Sequence, residues 1–282
     1  MECAVIKDLL VPVVLGEASE EAIGAACALA ERFEGRVTAL VAISMQTPPS
    51  MAWNYFPEGV YESLFEEAKS AAERIAAQVR PLLARYPVPS ETRVADGVWL
   101  AAPVVAAVHA RYFDLVVLGR TKRAVPEAER GLFADLLLDT GRPVLVVPTG
   151  FAWPRKLDRA IVAWRPGPEA SRALHDALPL LCLAGEVELV MVEPKVGETG
   201  YAQLPGADIA EHLARHGLSV NVTSIPREGQ ATGEAILRFA SETGAQLIVA
   251  GGFGHSRARQ MVFGGVTRSL FQHSTVPVLF SH

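Results

Sequence analysis

The chain has 282 residues, long enough for one large domain or two ordinary ones, each with a substantial core. Half of the residues are hydrophobic and a fifth are charged, a composition that excludes a disordered protein. The formal charge of -5 argues against a general nucleic-acid-binding protein, because affinity for the phosphate backbone depends on clustered Lys and Arg.

The spacing of the cysteines and the length of the apolar runs indicate the cellular compartment in which the protein is expected. Cys3, Cys27 and Cys182 lie far apart without a Cys-x-x-Cys pair, so neither a disulfide framework nor a zinc site is expected. The first residues lack the basic segment and apolar run of a signal peptide. The longest apolar candidate, 98–108, contains Pro103 and is too short to span a bilayer. We therefore expect a cytoplasmic protein with no membrane segment.

The first half of the chain alternates predicted strands and helices. Ser19 is placed to cap the first helix, Gly35 to end it, and Pro81 to kink or end the second. Residues 46–59 combine prolines with aromatic side chains and are predicted to form a loop, either a functional lid or a packed surface loop. The strands are predicted at 8–14, 37–43, 91–94, 114–119 and 143–148, and the helices at 22–33, 62–86, 101–112 and 132–138.

The second half repeats this order. Gly185 and Gly217 are expected to end its first two helices. The strands are predicted at 158–164, 187–192, 219–225 and 247–250, and the helices at 169–183, 208–216, 231–243 and from 266 onwards.

Strands and helices that alternate over short links favour parallel sheets covered on both faces, with right-handed crossovers. We predict two doubly wound, Rossmann-like α/β domains, 1–150 and 151–282, each with a five-stranded parallel sheet flanked by helices. A ligand site is expected beyond the carboxyl ends of the strands, where the strand order reverses.

Two glycine pairs mark such a site in the second half. Gly251 and Gly254 follow a buried strand with the spacing Gly-x-x-Gly, and after nine residues Gly264-Gly265 precede a predicted helix. Glycines let a backbone approach phosphate closely, and a helix N-terminus attracts an anion. The alternative is that these glycines form plain strand-to-helix turns.

This full spacing resembles the motif of the universal stress protein family, whose nucleotide-binding members wrap ATP around it. Gly251, Gly254 and Gly264 fit the register, whereas Gly265 stands where the family has a Ser or Thr. Residues 274–279 resemble the last strand of the family fold. The resemblance covers essentially the whole chain as a tandem pair and is strongest in the second half.

The resemblance implies an ATP site in the second half, with or without Mg²⁺. The family's usual Asp after the first strand is replaced by Trp164-Arg165, and Arg165 either contacts phosphate or covers the site mouth. Met191 and Val192 match an adenine-facing position, with core packing as the alternative. The implied binding residues are Trp164, Arg165, Met191, Val192, Gly251, Gly254, His255, Ser256, Gly264, Gly265, Val266 and Thr267.

The corresponding site of the first half is predicted to be degenerate. Lys122 occupies the place of the second glycine, and Arg130-Gly131-Leu132 replaces Gly264-Gly265-Val266. Bulky side chains there block a close approach of the backbone to phosphate.

Other chemistries find less support. His255-Ser256 could begin a nucleophile elbow, but Ala258 stands where the second glycine of Gly-x-Ser-x-Gly belongs, so these residues are expected to bind phosphate or cap the loop. His212 and His216 share a helical face and suit either a metal or a solvated helix end, with no third ligand apparent. No catalytic residue is predicted.

We therefore expect a stress-response or regulatory module that binds an adenine nucleotide. A nucleotide-free protein-interaction module is the alternative, and slow ATP hydrolysis is a third hypothesis without a positioned base. The resemblance implies that the two domains pair through their last strands and leaves open a homodimer and a protein partner that the sequence does not identify.

Overall fold

The computed structural model describes residues 5–14, 16, 18–43, 59–95, 101–120, 126–194, 205–253 and 264–282. Two compact units divide the chain: an N-terminal unit, Ile6–Arg142, and a C-terminal unit, Pro143–His282. The predicted loop 46–59 lies outside the described residues except for Gly59.

The N-terminal unit alternates four strands with four helices. Its strands pair in the order β3-β2-β1-β4, and all three pairings are parallel. The elements are β1 Asp8–Val13, α1 Glu20–Phe33, β2 Arg36–Ala42, α2 Val60–Leu83, β3 Ser90–Ala95, α3 Ala102–Ala110, β4 Leu115–Gly119 and α4 Pro126–Asp139.

The C-terminal unit has a six-stranded sheet in the order β5-β10-β9-β6-β7-β8. The pairings are parallel except for the antiparallel pair β5 and β10. The elements are β5 Val144–Val147, β6 Leu157–Ala163, α5 Pro168–Leu181, β7 Ala184–Val192, α6 Ala207–Arg215, β8 Val220–Ile225, α7 Thr232–Thr243, β9 Leu247–Gly251, α8 Gly265–His273 and β10 Val278–Ser281.

The predicted α/β fold is confirmed, and burial of the strands explains why. The two units contain four and six described strands instead of the predicted five each, because β5 pairs with β10 in the C-terminal unit. In β9 the run from Leu247 to Ala250 is buried, and in β1 every residue after Asp8 is buried. Strands covered on both faces read as unbroken apolar runs, so their positions are legible in the sequence.

The start of α1 agrees with the prediction, and its end differs. Ser19 caps α1 as predicted, since its hydroxyl accepts a hydrogen bond from the Ala22 amide at 3.1 Å. The left-handed residue at the end of α1 is Glu34, not Gly35. A side chain at Gly35 would come within 2.7 Å of the Lys7 carbonyl oxygen, so this glycine permits a close backbone approach.

Gly185 does not end a helix. It lies inside β7, where a side chain would come within 3.0 Å of the Asp158 carbonyl oxygen. Gly217 follows α6 with a φ of 80°, as a helix-ending glycine does. Pro81 lies inside α2, which ends shortly after it at Leu83.

The cysteines correct one expectation. Cys182, which caps the end of α5, is disulfide-bonded, although the sequence suggested no disulfide. Cys27 is a free, buried thiol, and burial raises its pKa to about 12. Cys3 lies outside the described residues.

Across the described part of the chain, no helix combines the length and the apolar character needed to cross a membrane.

Candidate functional site

The sheet of the C-terminal unit has its switch point between β6 and β9. Chain order runs one way through β6, β7 and β8 and the other way through β9 and β10. Ala163 lies opposite Ala250 in the register of the two parallel strands. Trp164 and Gly251 are the next residues of the two strands, so they lie side by side at the carboxyl edge of the sheet. Ligands bind at this edge in open α/β sheets.

Gly251 is required for packing at this edge. A side chain there would come within 2.7 Å of both the Ala170 amide nitrogen and the Glu169 carbonyl carbon, in the first turn of α5. Gly119, the equivalent residue of the N-terminal unit, would place a side chain within 2.1 Å of Ser19. The first glycine of the motif thus lets a helix start lie against a strand end in both units.

The backbone after β9 is held from two sides. The Gly252 amide donates to the Ser281 carbonyl at 2.8 Å, and His282 Nδ1 donates to the Gly252 carbonyl at 2.9 Å. Phe253 is buried in the left-handed region with a φ of 54°, and its amide donates to Thr267 Oγ1 at 3.4 Å. The start of this loop is therefore fixed to β10 and to α8.

Helix α8 begins at Gly265, as predicted, with Gly264 as its cap residue. The cap makes no side-chain hydrogen bond, and the described first turn contains no acidic residue. The first helical hydrogen bond runs from the Arg268 amide to the Gly264 carbonyl at 2.9 Å. The amides before Arg268 therefore lie at the positive end of the helix dipole without helical acceptors.

The side chains at this helix start leave the amides accessible. Gly265 is exposed, and no described residue lies within 4 Å of the place where its side chain would begin. Gly264 and Val266 are half-buried, while Thr267 is buried against Phe253.

The loop after β6 lies at the other side of the switch point. The Trp164 amide extends the sheet by donating to the Val190 carbonyl at 2.8 Å, and the Trp164 residue is half-buried. Arg165 is exposed. Helix α5 starts with Gly167 as its cap residue and has Glu169 in its first turn.

Met191 and Val192 differ in accessibility. Met191 is fully buried, and its terminal methyl lies 2.9 Å from the position that a Gly206 side chain would take. Val192 ends β7 half-buried. The predicted residues Gly254, His255 and Ser256 lie outside the described residues.

The N-terminal unit presents a different helix start. Helix α4 begins at Pro126, more than a turn before Gly131, the counterpart of Gly265. Its first turn carries Glu127 and Glu129. Burial lowers the pKa of Arg120, and the neighbouring Glu129 acts in the opposite direction. Lys122 lies outside the described residues. Carboxylates thus stand at the positive end of this helix, where an anion would otherwise bind.

The sequence indicates the pair His212 and His216 but not their neighbour His175, which comes from a different helix. His175 of α5 lies beside His212 of α6, with ring centroids 5.2 Å apart, and His212 lies 4.8 Å from His216. No group of three or more His, Cys, Asp or Glu is arranged to hold a metal ion among the residues that the structure describes.

Comparisons with known proteins agree with this fold. Residues 6–148 and 162–282 each match the family model described as the universal stress protein family. Universal stress protein Slr1230 of Synechocystis sp. strain PCC 6803 is 24% identical over 173 residues, which are 59% of this chain and 57% of that protein. The match therefore spans little more than half the length of this relative.

Two solved structures resemble the chain over almost its full length. A universal stress protein from Archaeoglobus fulgidus DSM 4304 is 18% identical with a TM-score of 0.74, covering 97% of this chain and 95% of that one. A putative universal stress protein from Pseudomonas aeruginosa UCBPP-PA14 is 16% identical with a TM-score of 0.58, covering 98% and 93%. At these identities the likeness concerns the fold.

Proposed function

Because the chain belongs to the universal stress protein family, we propose that its C-terminal unit binds ATP and that the protein acts as a stress-response or regulatory module. The observation that carries the proposal is the start of α8. This helix N-terminus has two glycines, no side-chain hydrogen bond from its cap residue, and no acidic residue in its described first turn.

The phosphates would bind at this helix start. The amides of Gly265, Val266 and Thr267 precede the first helical hydrogen bond and offer donors to an anion. Gly264 and Gly265 carry no side chain that would keep the phosphates away. Gly254, His255 and Ser256 are proposed to complete the phosphate contacts, as the family resemblance implies.

The nucleoside would lie toward β6 and β7. Val192 is the more accessible of the two predicted adenine contacts, since Met191 is fully buried. Trp164, half-buried at the end of β6, offers an aromatic surface for the base or ribose.

Arg165 has two proposed roles that salt can separate. If its guanidinium contacts phosphate, Arg165→Ala should weaken ATP binding and reduce the dependence of affinity on ionic strength. If Arg165 only covers the site mouth, the same change should leave the salt dependence as it was.

The N-terminal unit is proposed not to bind nucleotide. Glu127 and Glu129 stand in the first turn of α4, and their charges oppose a phosphate there. The proposal therefore specifies one ATP per chain.

Calorimetric titration of nucleotide-stripped protein with ATP, with and without Mg²⁺, tests the proposal. Saturation near one ATP per chain is expected. The proposal would be overturned if the protein bound neither ATP nor ATP with Mg²⁺ while its circular dichroism showed it to be folded.

One observation favours a second candidate, a protein-interaction module without nucleotide. Gly251 and Gly119 are both required by helix packing, so the first glycine of the motif is explained without a ligand. Folded protein that binds no nucleotide would support this candidate.

Location, association and domain limits are further proposals. We propose a cytoplasmic protein. A homodimer is proposed on the family resemblance, and light scattering after size exclusion would test it. Limited proteolysis with cleavage near 149–156 would support domains 1–150 and 151–282.

A further inference from the structure

Helix α6 is attached to its unit by few buried side chains. Of its nine described residues, Leu213 is the buried one. The helix start also packs on the sheet through Gly206, where a side chain would come within 2.9 Å of Met191 and 3.0 Å of Val222. Such sparse burial places α6 among the elements that open at low free energy.

Histidine rings make a further contact between α6 and α5. His212 lies between His175 of α5 and His216, the residue that caps the end of α6, at centroid distances of 5.2 Å and 4.8 Å. His175 Nδ1 donates to the Ser171 carbonyl at 2.7 Å, which fixes that ring on α5. His212 Nε2 is buried and has no hydrogen-bond partner among the residues that the structure describes.

We propose that His175, His212 and His216 form a pH-sensitive latch that holds α6 against α5 while the rings are neutral and releases it on acidification. Neutral rings pack at these distances as aromatic pairs, whereas protonated rings repel one another. A proton on His212 Nε2 would, in addition, place a charge at a buried atom without an acceptor.

The charged groups around His212 do not compensate such a proton. Arg215 adds a positive charge, and the Glu211 carboxylate is already bound to Arg215 at 2.6 Å. Asp208, one turn before His212 in α6, is exposed. Beside His175 on α5, Arg172 and Asp176 bind each other at 2.8 Å. Strand β8, on which α6 packs, contains no titratable side chain. In β7, Glu186 and Glu188 alternate with the α6-facing Leu189 and Met191, and they hydrogen-bond to Asn221 instead.

The direction of the pH effect follows from the folded protein. Burial lowers the pKa of His212, and the charges of His216, His175 and Arg215 lower it further. The unfolded or released helix therefore binds a proton more readily than the docked one. The contribution of the latch is complete above the ordinary histidine pKa of about 6.5 and falls as the pH drops toward the lowered value.

Release of α6 would uncover the surface of β7 and β8 that its start covers, including Met191 and the half-covered Val222. The latch does not depend on the proposed nucleotide site, because none of its three histidines contributes to that site. It adds a conformational response to acidity to the C-terminal unit.

Hydrogen exchange by mass spectrometry tests the latch in the full chain. Protection of the 207–215 peptide, corrected for intrinsic exchange, should fall by about tenfold or more between about pH 7.5 and pH 5. His212→Phe keeps an aromatic ring without the charge and should retain protection at the lower pH. His273→Phe, at an exposed histidine of α8, should behave like the wild type.

Three outcomes would overturn the latch. The first is wild-type protection that does not change with pH, and the second is an equal loss of protection in His212→Phe. The third is a Zn²⁺-dependent gain of protection at neutral pH that His212→Phe and His216→Phe both abolish, which would identify a metal site instead. If His212→Phe fails to fold, His175→Gln supplies the same comparison from α5.

Discussion

The Phe253 amide donates a hydrogen bond to Thr267 Oγ1 over 3.4 Å, and this bond joins the residue after β9 to the first turn of α8. Both residues are buried, and Phe253 holds a left-handed conformation that few residues other than glycine adopt. The bond therefore sets where the glycine loop leaves the strand relative to the helix start at which phosphate would bind.

Thr267→Val should destabilise the protein by about 1 kcal/mol, because it keeps the shape of the side chain and removes the hydroxyl that accepts a hydrogen bond from the Phe253 amide. Chemical denaturation measures the change. Ser269→Ala is the matched control on the same helix. The Ser269 hydroxyl is buried and has no hydrogen-bond partner in the described part of the chain, so its loss should be neutral or stabilising. Equal effects of the two changes would contradict the role of Thr267.

Gly251→Ala should destabilise the nucleotide-free protein by about 1–3 kcal/mol, because the added methyl meets the backbone of Ala170 and Glu169 at 2.7 Å. Gly119→Ala should act in the same way against Ser19. Gly265→Ala meets no atom of the described residues within 4 Å and should be neutral or slightly stabilising. Thermal unfolding of the three variants without ligand measures these effects, and a neutral Gly251→Ala would show that this glycine serves the ligand alone.

The order of strands and helices was predictable because each signal is local. The buried run from Leu247 to Ala250 and the glycines before α8 are legible in single segments. The packing role of Gly251 was not predictable, because its partners Glu169 and Ala170 lie in α5, far away in the sequence. The approach of His175 to His212 and the Cys182 disulfide depend on the tertiary fold in the same way.

The two described cysteines should differ in how they become reactive toward iodoacetamide. Cys182 should be labelled only after reduction, because its sulfur is held in a disulfide. Cys27 should be labelled only after unfolding, because it is buried and its pKa is raised to about 12, so little thiolate forms at neutral pH. Peptide mass spectrometry reads both sites. Labelling of Cys182 in native protein before any reductant is added would contradict the disulfide.

The proposed phosphate site predicts opposite changes in stability and affinity for one substitution. Gly265→Glu places a carboxylate in the first turn of α8, where it should stabilise the helix by a few tenths of a kcal/mol through the helix dipole. The same charge should repel phosphate and weaken ATP binding by about tenfold or more, which corresponds to about 1.4 kcal/mol.

Gly131→Glu makes the same change at the counterpart position in α4. Gly131 is also exposed, and no described residue lies within 4 Å of the place where its side chain would begin. This change should leave ATP affinity unchanged. For each variant, calorimetry with ATP measures the affinity, and thermal unfolding without ATP measures the stability. Because Gly265→Glu is expected to raise stability, lost affinity in that variant could not be attributed to unfolding. Unchanged affinity would place the phosphates away from α8, and equal losses in both variants would show that the N-terminal unit also binds nucleotide.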